Sequence, residues 1–293
     1  MSFKMAILIG PVWILGSLMF QSLIAAQEMT VRLLQERVVQ YEPLFIEVTC
    51  KIPGKAKEPS FEILIDGKPI EDACAGSLES RPISESAATD AVKTYTWLAY
   101  LHLTYKGCVF EKAGSYTLLV RELRNKISSK ETPVRIDPCS QADQLVGEAL
   151  VALHGIKTDR PLADRIAGLK TTVSNHAAST ITRYALYELF ELDRMALPIA
   201  QKDTAEENEK VRSANADLIS RYGQAAKLLP HPSEWHGSMN WRLAVSKAVC
   251  GDMETARLDL IKLKETYGKH PVLGPSLNRS LESVEKSLQA NTK

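Results

Sequence analysis

The chain has 293 residues, 45% of them hydrophobic, and 36 lysines and arginines nearly balance 35 aspartates and glutamates. That apolar share fits globular structure rather than disorder, and near neutrality argues against a nucleic-acid partner, which usually meets a basic excess. The length suits one or two domains with cores of their own.

Residues 1–26 carry one charge, Lys4, ahead of an almost unbroken apolar run through Pro11, Trp13, Leu18 and Phe20 to Ala26. A basic start, an apolar stretch and small residues at Ala25 and Ala26 predict a secretory signal peptide. The run also reaches the roughly 20 residues that span a bilayer, so an uncleaved anchor is the second reading, weakened by Gly10, Pro11 and Gly16. No cysteine stands near the cut to take a lipid. An exported protein is expected: periplasmic, at the cell surface or secreted, with membrane association only if the segment stays uncleaved.

From Met29 to Ile136 the apolar period is close to two. Thr30 to Val39 reads as a first strand, interrupted near Glu36. Leu44 to Cys50 is β-branched and aromatic, and Ser60 to Ile65 runs into Asp66-Gly67, a hairpin signal. Ile70 to Val92 is polar and reads as a long loop. Lys93 to Tyr105 is a long strand, Ser115 to Arg121 another, and a charged hairpin region leads to Thr132 to Ile136. About seven short strands predict an antiparallel β-sandwich over residues 27–137.

At Asp137-Pro138 the pattern changes, and residues 138–293 read as all-α. Ser140 is placed to cap a helix whose stripe is Leu145, Val146, Ala149, Leu150 and Leu153, with Gly155 as its stop. Further helices are predicted at 161–170, 174–195, 204–222, 233–249, 253–267 and 275–290.

Two motifs in the first half carry a resemblance. Glu42-Pro43-Leu44 leading into a strand resembles the start of strand B in bacterial extracellular immunoglobulin-like domains. Phe110-Glu-Lys-Ala-Gly-Ser-Tyr-Thr-Leu118 resembles the turn into their late strand. The resemblance implies that Gly114 allows the turn and that Tyr116 is a corner tyrosine whose hydroxyl ties to upstream backbone. The immunoglobulin Cys…Trp…Cys spacing is absent, with Leu118 where the partner of Cys50 would stand. In the second half, Trp241 to Leu260 resembles a tetratricopeptide repeat, with Gly251 at its turn and Ala256 at its small packing position. Lys247 stands where an aromatic is more usual, and Pro271 is displaced from the repeat's proline position. The resemblance covers one unit of a fold that normally stacks about three or more.

Five cysteines follow the N-terminal segment: Cys50, Cys74, Cys108, Cys139 and Cys250. Export permits disulfides, and the reading favours pairing within the first four, with Cys250 as a buried helix residue. Cys139 at a helix start has an alternative reading as a reactive thiol.

His231-Pro-Ser-Glu-Trp-His236 is the one cluster that could hold a metal, through His231, Glu234 and His236. Its spacing gives no common helix face, so Ser233 reads as a cap and no metal is expected. No Gly-x-Ser-x-Gly elbow occurs, and Glu188, Glu191, Glu206 and Glu207 read as solvated helix faces. Asn278-Arg-Ser280 matches a glycosylation triplet that arises often by chance. Alternation puts Tyr95, Trp97, Ala99, Leu101, Leu103 and Tyr105 on one strand face, and Thr94, Thr96, Leu98, Tyr100, His102 and Thr104 on the other. The first face is the more apolar and is expected in the core, leaving the second to solvent. Candidate binding residues are Tyr95, Trp97, Tyr105 and Trp241, although Tyr184, Tyr187, Phe190 and Trp241 also read as helix packing.

A sandwich followed by helical hairpins implies a non-catalytic binding or scaffold protein that engages a peptide or protein partner, with no cofactor and no nucleic acid. This expectation rests on fold analogy. One alternative is a hydrolase or carbohydrate-active protein with an interdomain site using His154, His176, His231 or Glu234. The other is a carbohydrate-binding module using Tyr95, Trp97 and Tyr105.

Overall fold

A computed structural model of the chain describes residues 28–53, 59–70, 84–89, 92–104, 107–154, 161–198, 204–270 and 273–291. Residues 1–26, expected to be a signal peptide, lie outside the described residues, as do Cys74, Tyr105, Gly155 and Pro271. Strands fill the first half: β1 (Glu28–Leu33), β2 (Val38–Val39), β3 (Leu44–Pro53), β4 (Phe61–Ile65), β5 (Lys68–Pro69), β6 (Ser84–Thr89), β7 (Val92–Leu101), β8 (Leu103–Thr104), β9 (Gly107–Cys108), β10 (Gly114–Glu122), β11 (Ile127–Ser128) and β12 (Thr132–Asp137). Helices fill the second: α1 (Gln141–His154), α2 (Leu162–Asn175), α3 (Thr182–Met195), α4 (Ala205–Leu228), α5 (Glu234–Val249), α6 (Met253–Tyr267) and α7 (Leu273–Asn291).

One sheet is antiparallel, in the order β1-β3-β7-β6. In its centre Leu44, Ile46, Val48 and Cys50 stand opposite Leu101, Ala99, Trp97 and Tyr95. All eight are buried in a cluster that also takes Ile63, Leu118, Val120, Val134 and Ile136 from the second sheet. Alternate residues of one strand thus meet residues of another sheet, as the period of two dictates. The second sheet runs β2-β12-β10-β4-β5, with β11 paired to β10. It departs from the all-antiparallel expectation because β12 pairs with β2 in parallel. The chain leaves β1 for the other sheet without a hairpin, so β2 arrives running alongside β12. The Asp66-Gly67 turn forms as expected, with φ 50° and 75° at its two residues and β4 paired to β5 across it.

The long loop expected at 70–92 is corrected in part. Residues Ser84–Thr89 form an edge strand on β7. They carry no apolar alternation, so the pairing comes from backbone groups that β7 offers and not from a pattern local to the segment.

Four helix starts, those of α1, α4, α5 and α6, follow side-chain caps, while α2 and α3 start after Pro161 and Ile181 without one. The Ser140 hydroxyl oxygen accepts from the Asp143 N–H at 3.1 Å, and Asp143 Oδ2 accepts from the Ser140 N–H at 3.2 Å, a reciprocal box. Thr204, Ser233 and Asp252 cap α4, α5 and α6 with side-chain oxygens. Gly251, with φ 93°, makes the turn between α5 and α6. Val146, Leu150 and Leu153 of α1 point inward while Leu145 faces out. The helix expected from Ser174 starts instead at Thr182, and α4 continues to Leu228, beyond the expected Tyr222. No helix among the described residues is long and apolar enough to cross a membrane.

Candidate functional site

The second face of β7 is the main surprise. Leu98 is 4% exposed and His102, just after the strand, 1%; the expected solvent side is covered by helices. Phe45 of β3 and Tyr100 of β7 meet Trp235 of α5 at 5.7 and 5.1 Å between ring centroids. Trp235 also stacks on Tyr187 of α3 at 4.5 Å and 8°, and His102 lies 5.6 Å from it, edge-on. Leu98 joins Ala244, Leu260, Tyr267, Leu273 and Leu277 in a second cluster. The end of the first sheet that carries Phe45, Leu98, Tyr100 and His102 is therefore covered on both faces, and Trp235 and Tyr184 pack their rings against it.

Polar groups lock this seam. Arg183 Nη2 donates to Glu42 Oε1 at 2.7 Å, and the Tyr184 hydroxyl donates to the same oxygen at 3.3 Å. Burial pushes the Tyr184 hydroxyl up, as does the Glu42 carboxylate. Tyr41, held at φ 66°, lays its ring on α1 at Gly147, where an added Cβ would stand 2.3 Å from the ring; only glycine admits that approach. His102 Nε2–H donates to the Tyr41 carbonyl at 3.0 Å, which fixes the neutral tautomer. Burial pushes His102 down to about 4, and its Nδ1 has no partner among the described residues.

The sequence candidates fall as follows. Trp97 is 2% and Tyr95 7% exposed, and their rings stack 5.6 Å apart inside the cluster between the sheets. Neither offers a flat platform, which removes the best residues of the carbohydrate-module alternative. Trp241 is half-buried: its Nε1 donates to Ser280 Oγ at 3.1 Å and the Arg242 guanidinium lies 3.8 Å over its ring. Tyr184 and Phe190 are packing residues, as read.

His231 and His236 do come together, edge to face at 4.7 Å, but no group of three metal-ligating side chains exists among the described residues. Instead the Tyr267 oxygen accepts from the Ser233 N–H at 3.1 Å and its hydroxyl faces His236 Nδ1 at 3.1 Å. Burial, with His231 beside it, pushes His236 down to about 4. His154 pairs with Glu188 at 3.1 Å between α1 and α3, at the surface. Among the described residues Cys50, Cys108, Cys139 and Cys250 form no disulfide with one another, while Cys74, the fourth cysteine of the expected first-half pairing, lies outside them. Cys50 and Cys108 are pushed up to about 12 by burial. Cys139 is also raised, by burial and then by Asp143, the reverse of an activated thiol. Cys250 caps α5 half-exposed instead of lying buried within it.

Asp143 is a structural hub that the sequence did not single out. Burial alone would raise its carboxyl, but donors outweigh it and hold it at about 2. The Ser179 hydroxyl and the Thr180 N–H, both at 2.7 Å, tie the turn before α3 to the start of α1.

Depressions open among the helices, and two of them bear on function. The first, of about 210 Å³, lies between the end of α3 and α4. Two carboxylates line it: Asp193 is satisfied by the Tyr222 hydroxyl at 2.6 Å and Lys170 Nζ at 2.9 Å, and Asp217 lies 3.5 Å from Arg221. The second, of about 230 Å³, lies over α5 between α4 and α6. Ile219, Leu243 and Leu263 line it beside Asn240, and Lys227, Lys247 and Lys262 stand around it with one acid, Asp259. Asp259 already binds Lys247 at 2.7 Å. Lys227 and Lys262 are exposed and make no ion pair among the described residues. Sequence reasoning missed this cleft because its residues come from three helices, each with an ordinary polar face.

No protein-family model matches the sequence, and a search of the curated proteins finds no match. The reading of the site therefore rests on its geometry.

Proposed function

We propose that this is an exported, non-catalytic binding or scaffold protein whose helical half engages a peptide or protein segment. The observation that carries the reading is the open cleft over α5, with an apolar floor and lysines around it. Its volume falls below the roughly 300–1,000 Å³ of small-molecule sites and suits a side chain projecting from a larger partner. The first half is an immunoglobulin-like sandwich in this reading. Supporting it, the Tyr116 hydroxyl donates to the Lys112 carbonyl at 2.8 Å, the bond of a tyrosine corner. The helices are tetratricopeptide-like hairpins, supported by Gly251 at the turn and by fully buried Ala256 between α5 and α6. The sandwich then serves as a fixed support, since it occupies the aromatic face of the helical layer.

An array of random eight-residue peptides, probed with the purified protein, tests the reading. Reproducible retention of a subset is expected, with hydrogen-exchange protection in α4, α5 and α6 when a retained peptide is added. Retention of none, or protection confined to the strands, would overturn it.

A further inference from the structure

The cleft over α5 has a chemistry that its surroundings leave unanswered. His236, Asn240, Leu243 and Lys247 recur at i, i+4, i+7 and i+11, one stripe of the helix, beside the stripe of Trp235 and Met239 that faces the main core, with Leu243 belonging to both. At 1.5 Å per residue that stripe is about 16 Å long, the span of roughly five extended residues. On its α4 side stand Ile219, Gly223 and Lys227, successive turns of one face; on its α6 side stand Asp259, Lys262 and Leu263. Leu243 and Leu263 are buried at its floor, so an entering apolar group meets apolar carbon there.

Charge decides what flanks that group. Three lysines face one carboxylate, and Asp259 is already spent on Lys247. The Asp193 depression differs: it holds two carboxylates, Asp193 having gathered Lys170, Tyr222 and Arg221 around itself and Asp217 pairing with Arg221 as well. Two ammonium groups bordering an apolar cleft attract carboxylates and repel cationic segments. His236, turned toward Tyr267, adds no positive charge at neutral pH.

We infer that the cleft takes an acidic peptide segment, one apolar side chain seated on Ile219, Leu243 and Leu263 and flanking carboxylates on Lys227 and Lys262. This rests on the peptide-binding reading above and specifies its site and partner chemistry. Gly223, in the cleft lining, supplies a way to test it: a Cβ there meets nothing within 4 Å, so a side chain starts there without a clash and its further atoms take up space in the cleft. Leucine is also the better helix former at this position.

The experiment compares three proteins on the same array of random eight-residue peptides: the wild type, the double variant Lys227→Glu/Lys262→Glu, and Gly223→Leu. Thermal melts by circular dichroism confirm that all three are folded. The wild type is expected to retain peptides enriched several-fold in Asp and Glu over Asn and Gln, around a Leu, Ile, Met or Phe. Both variants are expected to lose that binding at least tenfold, the first by charge and the second by volume. Raising salt from about 50 to 300 mM is expected to weaken the wild-type complex, since exposed charge pairs are screened. Retained peptides without acidic enrichment, or retained equally by all three proteins, would overturn the inference while leaving the peptide-binding reading intact. No retained peptide at all would end both.

Discussion

Two stripes of α5 do different work. The stripe of Trp235 meets Phe45, Tyr100, His102 and Tyr187, all within one buried seam. The stripe of Asn240 and Lys247 meets a cleft with open lysines. Large aromatics are the residues first suspected of binding a ligand, yet here the chain consumes them itself, holding its strand half against its helical half. What is left outside for a partner is charge around a small apolar floor. Aromatic content therefore locates the seam in this protein, and unanswered charge locates the candidate site.

If that contrast is right, damage to the seam costs stability and damage to the cleft does not. Trp235→Ala is expected to be the most severe, at about 3–5 kcal/mol for loss of a buried aromatic, read from urea denaturation; a cost under about 1 kcal/mol would mean the seam is loose. Glu42→Ala leaves Arg183 and Tyr184 without their shared acceptor, and about 3 kcal/mol is expected at this partly solvated pair. Gly147→Ala drives a methyl group into the Tyr41 ring, an overpacking worth about 1–3 kcal/mol, and an unchanged melting temperature would contradict the contact. Acid sharpens the picture without mutation. His102 titrates near 6.5 when unfolded and at about 4 when folded, so the unfolded chain binds the proton first. The stability held by the neutral ring is complete above pH 6.5 and is lost as pH falls from there toward 4. At pH 5 the loss is about 2 kcal/mol from His102, in the same direction as His236, and a His102→Gln variant should show a flatter melting profile over that window. The smallest effect belongs to the cleft: Lys227→Glu is expected within about 0.5 kcal/mol of wild type while still losing peptide.

Much of the fold was legible because it is written locally. Ser140 and Ser233 announced helix starts, Asp66-Gly67 a hairpin, and the alternation through Leu44 to Cys50 a strand with one buried face. Ser84–Thr89 was missed because an edge strand can be recruited by its neighbour's backbone without an apolar pattern. The face bearing Leu98, Tyr100 and His102 was misassigned for a related reason. Its threonines and histidine look like solvent residues beside Trp97, and only helices more than a hundred residues later reveal their cover. Asp143 escaped notice because three of its donors lie in two separate turns. The cleft was invisible to any single-helix pattern, since Lys227, Lys247 and Lys262 become neighbours only through packing.

The central claim is that β3 and β7 share a buried seam with the helices, so that the inner aromatic face of the helices is not open to a partner. Native-state hydrogen exchange in rising denaturant tests it most directly, by following amides of β3 and β7 beside those of α3 and α5. The account predicts that the most protected amides of both halves converge on one opening free energy and one denaturant dependence. Helices that stay protected after β3 and β7 have fully opened would contradict it, and would return the face of Trp235 and Tyr187 to the list of surfaces a partner can reach.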